Sequence, residues 1–208
     1  MKIEYEAKSL SGYGGSARGH VKVVNDSKTV FGFWVYIMTD LVLFATLFAT
    51  YAVLRDATAG GEGAAQLFSP VYVLTETMVL LTSSFTAGMG LLSAYRGDKK
   101  AVLGWFGFTF ILGAIFIGLE VNEFKNLALE GHSWAASAYL SSFFTLVGTH
   151  GLHVSAGLVW MAVMMRKVWQ KGITEVNKTR LTMLSLFWHF LDIVWIFIFS
   201  IVFMLGFI

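Results

Sequence analysis

The chain contains no cysteine and a single proline, and only 13% of its 208 residues are charged, against about 25% in globular chains. Without cysteine, disulfides, iron–sulfur clusters and thiolate metal sites are excluded. The shortage of charge, set beside 56% hydrophobic and 16% aromatic residues, argues against a water-soluble domain. Neither sign of charge is in large excess: 15 Lys and Arg against 13 Asp and Glu leave +2, too little to point to a nucleic acid partner. A phosphate-binding P-loop, a nucleophile elbow and a zinc helix motif are all missing. Five histidines remain as possible ligands.

What the chain does have is long apolar runs. About 20 residues of helix cross a hydrocarbon core about 30 Å thick, because each residue rises 1.5 Å. Five segments meet that requirement, residues 30–54, 71–95, 101–121, 138–165 and 181–207. Pro70 falls just ahead of the second, where the first turn of a helix tolerates it. The reading is an all-α integral membrane protein with five transmembrane helices, in one membrane domain over residues 30–208. Residues 1–29 are polar and of mixed charge, without the short apolar core of a cleavable signal peptide, and are expected to form a flexible cytoplasmic tail. The stretch 56–69, with Gly60, Gly61 and Gly63, reads as an irregular loop.

Basic residues set the expected orientation, since short cytoplasmic segments concentrate Lys and Arg. Lys2, Lys8, Arg18, Lys22 and Lys28 precede span one, Arg96, Lys99 and Lys100 separate spans two and three, and Arg166, Lys167, Lys171, Lys178 and Arg180 separate four and five. Only Arg55 and Lys125 fall on the other side. The amino terminus is therefore expected in the cytoplasm and the carboxyl terminus in the periplasm.

At 100° per residue the sparse polar and small side chains gather on particular faces, which marks where each span packs on protein. Span two gathers Glu76, Ser83, Thr86 and Gly90; span three gathers Thr109, Gly113, Glu120 and Glu123; span five gathers Ser185, His189, Asp192 and Ser200. Span four carries Ser142, Thr149, His150, His153 and Gly157 on one face and Gly148, Gly151 and Ser155 on another. Asp40 sits about 15 Å into span one, flanked on its face by Tyr36 and Phe44. An isolated charge at that depth costs about 2.5 to 3.5 kcal/mol on insertion scales, so Asp40 must be protonated, paired or beside water. With His153, His189 and Asp192 at comparable depth, the four could build one polar layer.

These residues support rival chemistries. Two imidazoles from different helices can ligate one haem iron, with His150 or His153 opposite His189; the plainer reading has them hydrogen-bonding within a packed interior, with Asp192 satisfying His189 three residues away. Asp40, Glu120 and Glu123 are proton-linked candidates, although Glu76, Glu120 and Glu123 fall near the outer interface, where water makes carboxylates inexpensive and a surface or helix-contact role is the plainer reading. Trp34, Trp105, Trp134 and Trp169 read as interfacial anchors, with Trp160 and Trp195 deeper. An independent proton-coupled transporter is a third class, disfavoured because no interrupted helix pair appears at midplane.

GTHGLHVSAG over 148–157 and WHFLDIVW over 188–195 resemble the most distinctive signatures of subunit III of haem-copper terminal oxidases. FGFWVYIMTDLVLFATLFATYAVL over 31–54, ETMVLLTSSFTAGMG over 76–90, and Glu120 with Glu123 extend the likeness over nearly the whole chain beyond the tail. Within the family, LFATYAVL and LSLFWHFLDIVW are most similar to the cytochrome bo type ubiquinol oxidase branch of bacterial plasma membranes. The resemblance implies the last five helices of a longer seven-helix form, folded as a bundle whose cleft holds phospholipid. It implies an accessory subunit, without catalytic residues, haem or metal of its own, beside oxidase subunits I, II and IV, with haem b, haem o and copper in subunit I. It also implies that Asp40 stands where many members carry an embedded glutamate tied to proton uptake, one methylene longer, and that His150, His153, His189 and Asp192 form structural helix contacts. Subunit III of a cytochrome c oxidase is the nearest alternative, and a haem-binding membrane anchor is a more distant one.

Overall fold

The computed structural model describes residues 16–60, 69–132 and 134–204, with side chains from residue 28 onward. Five helices account for almost all of it: α1 Ser16–Leu54, α2 Pro70–Arg96, α3 Lys99–Leu129, α4 Ala138–Lys171 and α5 Glu175–Ile198, the last continuing into a π-helical stretch, Phe199–Met204. All five are long and apolar enough to cross a membrane, over Lys28–Leu54, Pro70–Arg96, Lys99–Leu129, Ala138–Lys171 and Glu175–Met204. The expected tail up to residue 15, Gly61 and Gly63 of the expected loop, and Phe207 of the fifth span lie outside the described residues.

The helices overrun the apolar runs that announce them, because hydropathy marks where hydrocarbon ends whereas a helix ends where its last backbone groups find other partners. The α2–α3 connection shows this. Gly97 adopts φ +78°, a left-handed conformation that a side chain would strain, and its N–H bonds the Ala94 carbonyl while that of Asp98 reaches Ser93. Asp98 then caps α3, its carboxylate accepting from the N–H groups of Lys100 and Ala101 at 3.0 and 3.1 Å. Two residues thus end one helix and start the next, which forces α2 and α3 antiparallel. Ser137 and Thr174 cap α4 and α5 in the same way.

The chain divides into two compact units, Met1–Thr39 and Asp40–Ile208, with the boundary inside α1. In the first unit α1 is a regular helix from Ser16, with the Thr39 hydroxyl donating back to the Tyr36 carbonyl. In the second, α5 packs against α2 and α4, and α3 against α2 and α4. The centre of that unit is aromatic: Trp188, Trp195, Phe106, Phe116, Phe143 and Phe203 are all fully buried.

A ladder of side-chain hydrogen bonds fixes the antiparallel register of α2 and α5. Tyr95 meets Thr182 at 3.1 Å, Ser84 meets His189 at 2.6 Å, Trp188 Nε1 donates to Ser83 at 3.0 Å, and Trp195 Nε1 donates to Thr77 at 3.1 Å. Each such bond within a membrane contributes about 0.6 kcal/mol on average, so the ladder specifies register more than it supplies cohesion. Cohesion comes from close packing around the indoles. A Cβ at Gly113 on α3 would stand 2.8 Å from the Trp188 ring, and one at Gly157 on α4 would stand 3.1 Å away. Glycine at these two positions lets one tryptophan of α5 fill the space among α2, α3 and α4.

Candidate functional site

The expected polar faces are largely those that pack. Glu76, Ser83, Thr86 and Gly90 on α2, Thr109, Gly113 and Glu120 on α3, Ser142, His150, Gly151 and Gly157 on α4, and Ser185 and Asp192 on α5 are all buried. Thr86 and Thr109 join their helices by a hydroxyl pair at 2.8 Å. Ser200 departs from the expectation: it is exposed and bonds the Ile196 carbonyl. It falls in the π-helical stretch, where the register no longer advances by 100° per residue.

Asp40 is buried and lies opposite His153, with Nε2 to Oδ2 at 3.7 Å, inside ion-pair reach but beyond a hydrogen bond. The other ring nitrogen of His153, Nδ1, is 2.7 Å from the Thr149 carbonyl oxygen. A carbonyl only accepts, so Nδ1 carries a hydrogen and Nε2 is the atom left to face the carboxyl group. Phe44, one turn beyond Asp40, packs 5.2 Å from the His153 ring and 6.4 Å from Phe190 of α5, covering the pair on one side. Farther along α1, Phe48 meets Phe197, and the Tyr51 hydroxyl donates to the Val202 carbonyl at 3.5 Å. The polar contact of α1 is therefore set in an aromatic seam.

His189 and Asp192 do not satisfy one another alone. His189 Nδ1 engages Ser84 of α2 at 2.6 Å, and the same hydroxyl lies close enough to Asp192 to act on its carboxyl group, whose Oδ1 has no hydrogen-bond partner. Of the four residues that could build one polar layer, Asp40 meets His153 across α1 and α4, and His189 meets Ser84 of α2 with Asp192 on its own helix. Ser84 carries no mark of this role in the sequence. It lies 105 residues from His189, and nothing local announces a partner across that distance.

His150 is fully buried, with neither ring nitrogen hydrogen-bonded. It packs at 5.3 Å from Trp195, 6.0 Å from Phe116 and 6.3 Å from Phe44. The two imidazoles considered as a haem pair thus stand in unlike settings, an aromatic enclosure for His150 and a serine contact for His189. Among the described residues no group of three or more His, Cys, Asp or Glu is arranged to hold a metal ion.

The glutamates, expected at a surface or in helix contacts, fall in helix contacts: Glu76 is 0% and Glu120 3% exposed, and Glu123 is half-buried. Depth along a span does not report which side is covered, and α2, α3 and α4 close over these groups. Room for the Glu120 carboxyl comes from Gly151, where a Cβ would stand 2.5 Å from Oε1.

Comparison with known proteins adds three observations. The profile of the family described as cytochrome c oxidase subunit III matches residues 9–207. Cytochrome bo(3) ubiquinol oxidase subunit 3 of Pseudomonas aeruginosa is 59% identical over 178 residues, 86% of this chain and 85% of the relative, and that of Pseudomonas putida is 54% identical over 86% of each. Cytochrome c oxidase subunit 3 of Bacillus sp. strain PS3 is 45% identical over 84% of each.

Proposed function

The chain belongs to the cytochrome c oxidase subunit III family, and from that membership we propose that it is the accessory, non-redox subunit III of a proton-pumping cytochrome bo type ubiquinol oxidase. The observation that carries this reading is the 59% identity, over most of both chains, to a relative named as that subunit. The complex would oxidise ubiquinol and reduce oxygen to water. In this reading haem b, haem o and copper reside in subunit I, and subunits I, II and IV are the partners. The chain crosses the bacterial inner membrane five times, with residues 1–29 as a cytoplasmic tail, residues 30–208 as the membrane domain and the carboxyl terminus in the periplasm. The concentration of basic residues on one side supports that orientation.

This chain contributes support for the complex, retained phospholipid and assistance to proton uptake. The Asp40–His153 pair is the residue-level candidate for the last, because it sets two titratable groups face to face inside a span, and intramembrane ionisable groups are functional candidates by default. Glu120 and Glu123 are the other proton-linked candidates. His150, His189 and Asp192 serve the structural network through aromatic packing and Ser84.

Purifying the complex through a tag on this chain tests the main reading. Larger partner subunits, haem absorbance and ubiquinol oxidase turnover are expected together; the chain recovered alone, or with its own haem band, would overturn it. The 45% identity to a cytochrome c oxidase subunit 3 favours a second reading, which activity with reduced cytochrome c instead of ubiquinol would support. For Asp40, turnover-dependent inactivation and slower proton uptake are expected in the Asp40→Asn complex, and unchanged behaviour would leave it only a packing role.

A further inference from the structure

Three carboxyl groups gather where α2 begins and α3 ends, opposite in the bundle to the Gly97–Asp98 turn. Glu76 is fully buried and neither of its carboxyl oxygens has a hydrogen-bond partner; Glu120 is buried with Oε2 unpartnered. Glu123, one turn beyond Glu120, is half-buried, and Glu76 lies within electrostatic reach of both. None of the three is joined to a cationic side chain among the described residues. Glu123 also lines a cavity of about 280 Å³ with Ser69, Tyr72, Asn126, Leu127 and Glu130, and Glu130 at its rim is exposed.

Among the described residues no cationic side chain is paired with the cluster. From α4 the group facing Glu120 is Gly151, and the neighbouring imidazole, His150, is enclosed by Phe44, Phe116 and Trp195. From α5, Trp195 directs its N–H to Thr77 rather than to Glu76. Along α3 the further charged groups are Lys99 and Lys100 at its far end and the exposed Lys125, with Glu130 just past its last residue. Buried charge without a partner is among the most costly arrangements in a protein, and like charges in one site raise the cost. A fold that clears space for Glu120 with a glycine and seals Glu76 completely needs some positive occupant there, and the site lacks the donor set of a metal centre.

We propose that Glu76 and Glu120 hold a proton between α2, α3 and α4, and that Glu123 exchanges it with water through the adjoining cavity. A hydronium ion in the cavity protonates the Glu123 carboxylate and leaves water; Glu123 passes the proton to Glu76 or Glu120, and the reverse sequence releases it. This site is separate from the Asp40–His153 pair and does not depend on the assignment of the electron donor.

Infrared spectra of the intact complex in lipid, in H2O and D2O, test the proposal with the single variants Glu76→Gln, Glu120→Gln and Glu123→Gln. A carboxylic-acid C=O band present in the parent complex is expected to vanish in Glu76→Gln or Glu120→Gln, and its D2O shift is expected to slow at least about tenfold in Glu123→Gln. A difference spectrum containing only carboxylate bands would show that the cluster holds another cation, and overturns the proposal. Exchange unchanged in Glu123→Gln overturns it equally. Should either buried variant fail to assemble, the exchange rate in Glu123→Gln decides alone, because that side chain reaches the cavity rather than the sealed interior.

Discussion

If Trp188 is the piece that α3 and α4 close upon, a single methyl group at Gly113 should disturb the bundle in a way that the same methyl elsewhere on α3 does not. An alanine Cβ at residue 113 would meet Trp188 Cη2 at 2.8 Å, Cζ2 at 2.9 Å and Leu158 Cδ2 at 2.9 Å. The indole has nowhere to go: it is fully buried, its N–H is held by Ser83 and its other edge lies against Gly157. Overpacking of this kind costs about 1–3 kcal/mol, against which the better helix propensity of alanine returns about 1 kcal/mol. Net destabilisation of about 1 kcal/mol corresponds to a fall of about 2–4 °C in a thermal midpoint for a chain of this length. Gly107→Ala and Gly118→Ala meet nothing within 4 Å and should be neutral or slightly stabilising. The measurement is the temperature at which half of the chain leaves the solubilised complex, read by native electrophoresis. Trp188→Phe deletes the two ring atoms that Gly113→Ala would strike, so the double variant should be less impaired than the two single effects combined. Additive effects, or a Gly113→Ala complex as stable as Gly118→Ala, would refute the packing argument.

The same assay distinguishes three other features. Ser84→Ala should cost more than Ser83→Ala, about 1–3 kcal/mol against about 0.6 kcal/mol, because it leaves the partly buried His189 ring nitrogen without its partner and removes the hydroxyl beside the Asp192 carboxyl, while Ser83 serves one indole. Equal losses would deny Ser84 its shared role. Gly97→Ala should lower the midpoint by forcing a side chain into a left-handed conformation, about 1–2 kcal/mol, and Asp98→Ala should do so by about 1 kcal/mol through loss of the α3 cap. Gly151→Ala should be tolerated in the Glu120→Ala background and harmful alone, since the atoms it meets are those of the Glu120 carboxyl; equal effects in both backgrounds would remove that contact.

How far the sequence could be read follows from which signals are local. Apolar runs and the 100° period are local, and they locate five helices and the faces carrying Thr109, Gly113, Glu120, His150 and Asp192. The family likeness is also written in contiguous strings, and the match over residues 9–207 bears it out. Helix ends were less legible because caps such as Asp98 and Thr174 sit outside the apolar runs, and the π-helical stretch at 199–204 changes the register at Ser200 without any compositional mark.

Pairing between helices is where local signals stop. The rungs Ser84–His189, Ser83–Trp188 and Thr77–Trp195 span more than a hundred residues, and whether a histidine meets a serine or an aspartate is settled by which helices are neighbours. The glutamates make the point most sharply. Counting residues places Glu76 and Glu120 near an interface, where a carboxylate would be hydrated, and on that count alone they are surface groups. A carboxyl group's surroundings depend on what stands beside it, and here Gly151 of α4 and the close pairing of α2 with α3 exclude solvent as thoroughly as depth would. Asp40 is the converse. It lies deep in its span, yet His153 stands within ion-pair reach of it, although Oδ2 accepts no hydrogen bond. An intramembrane acid therefore has to be judged by its nearest polar atoms and only afterwards by its distance from water.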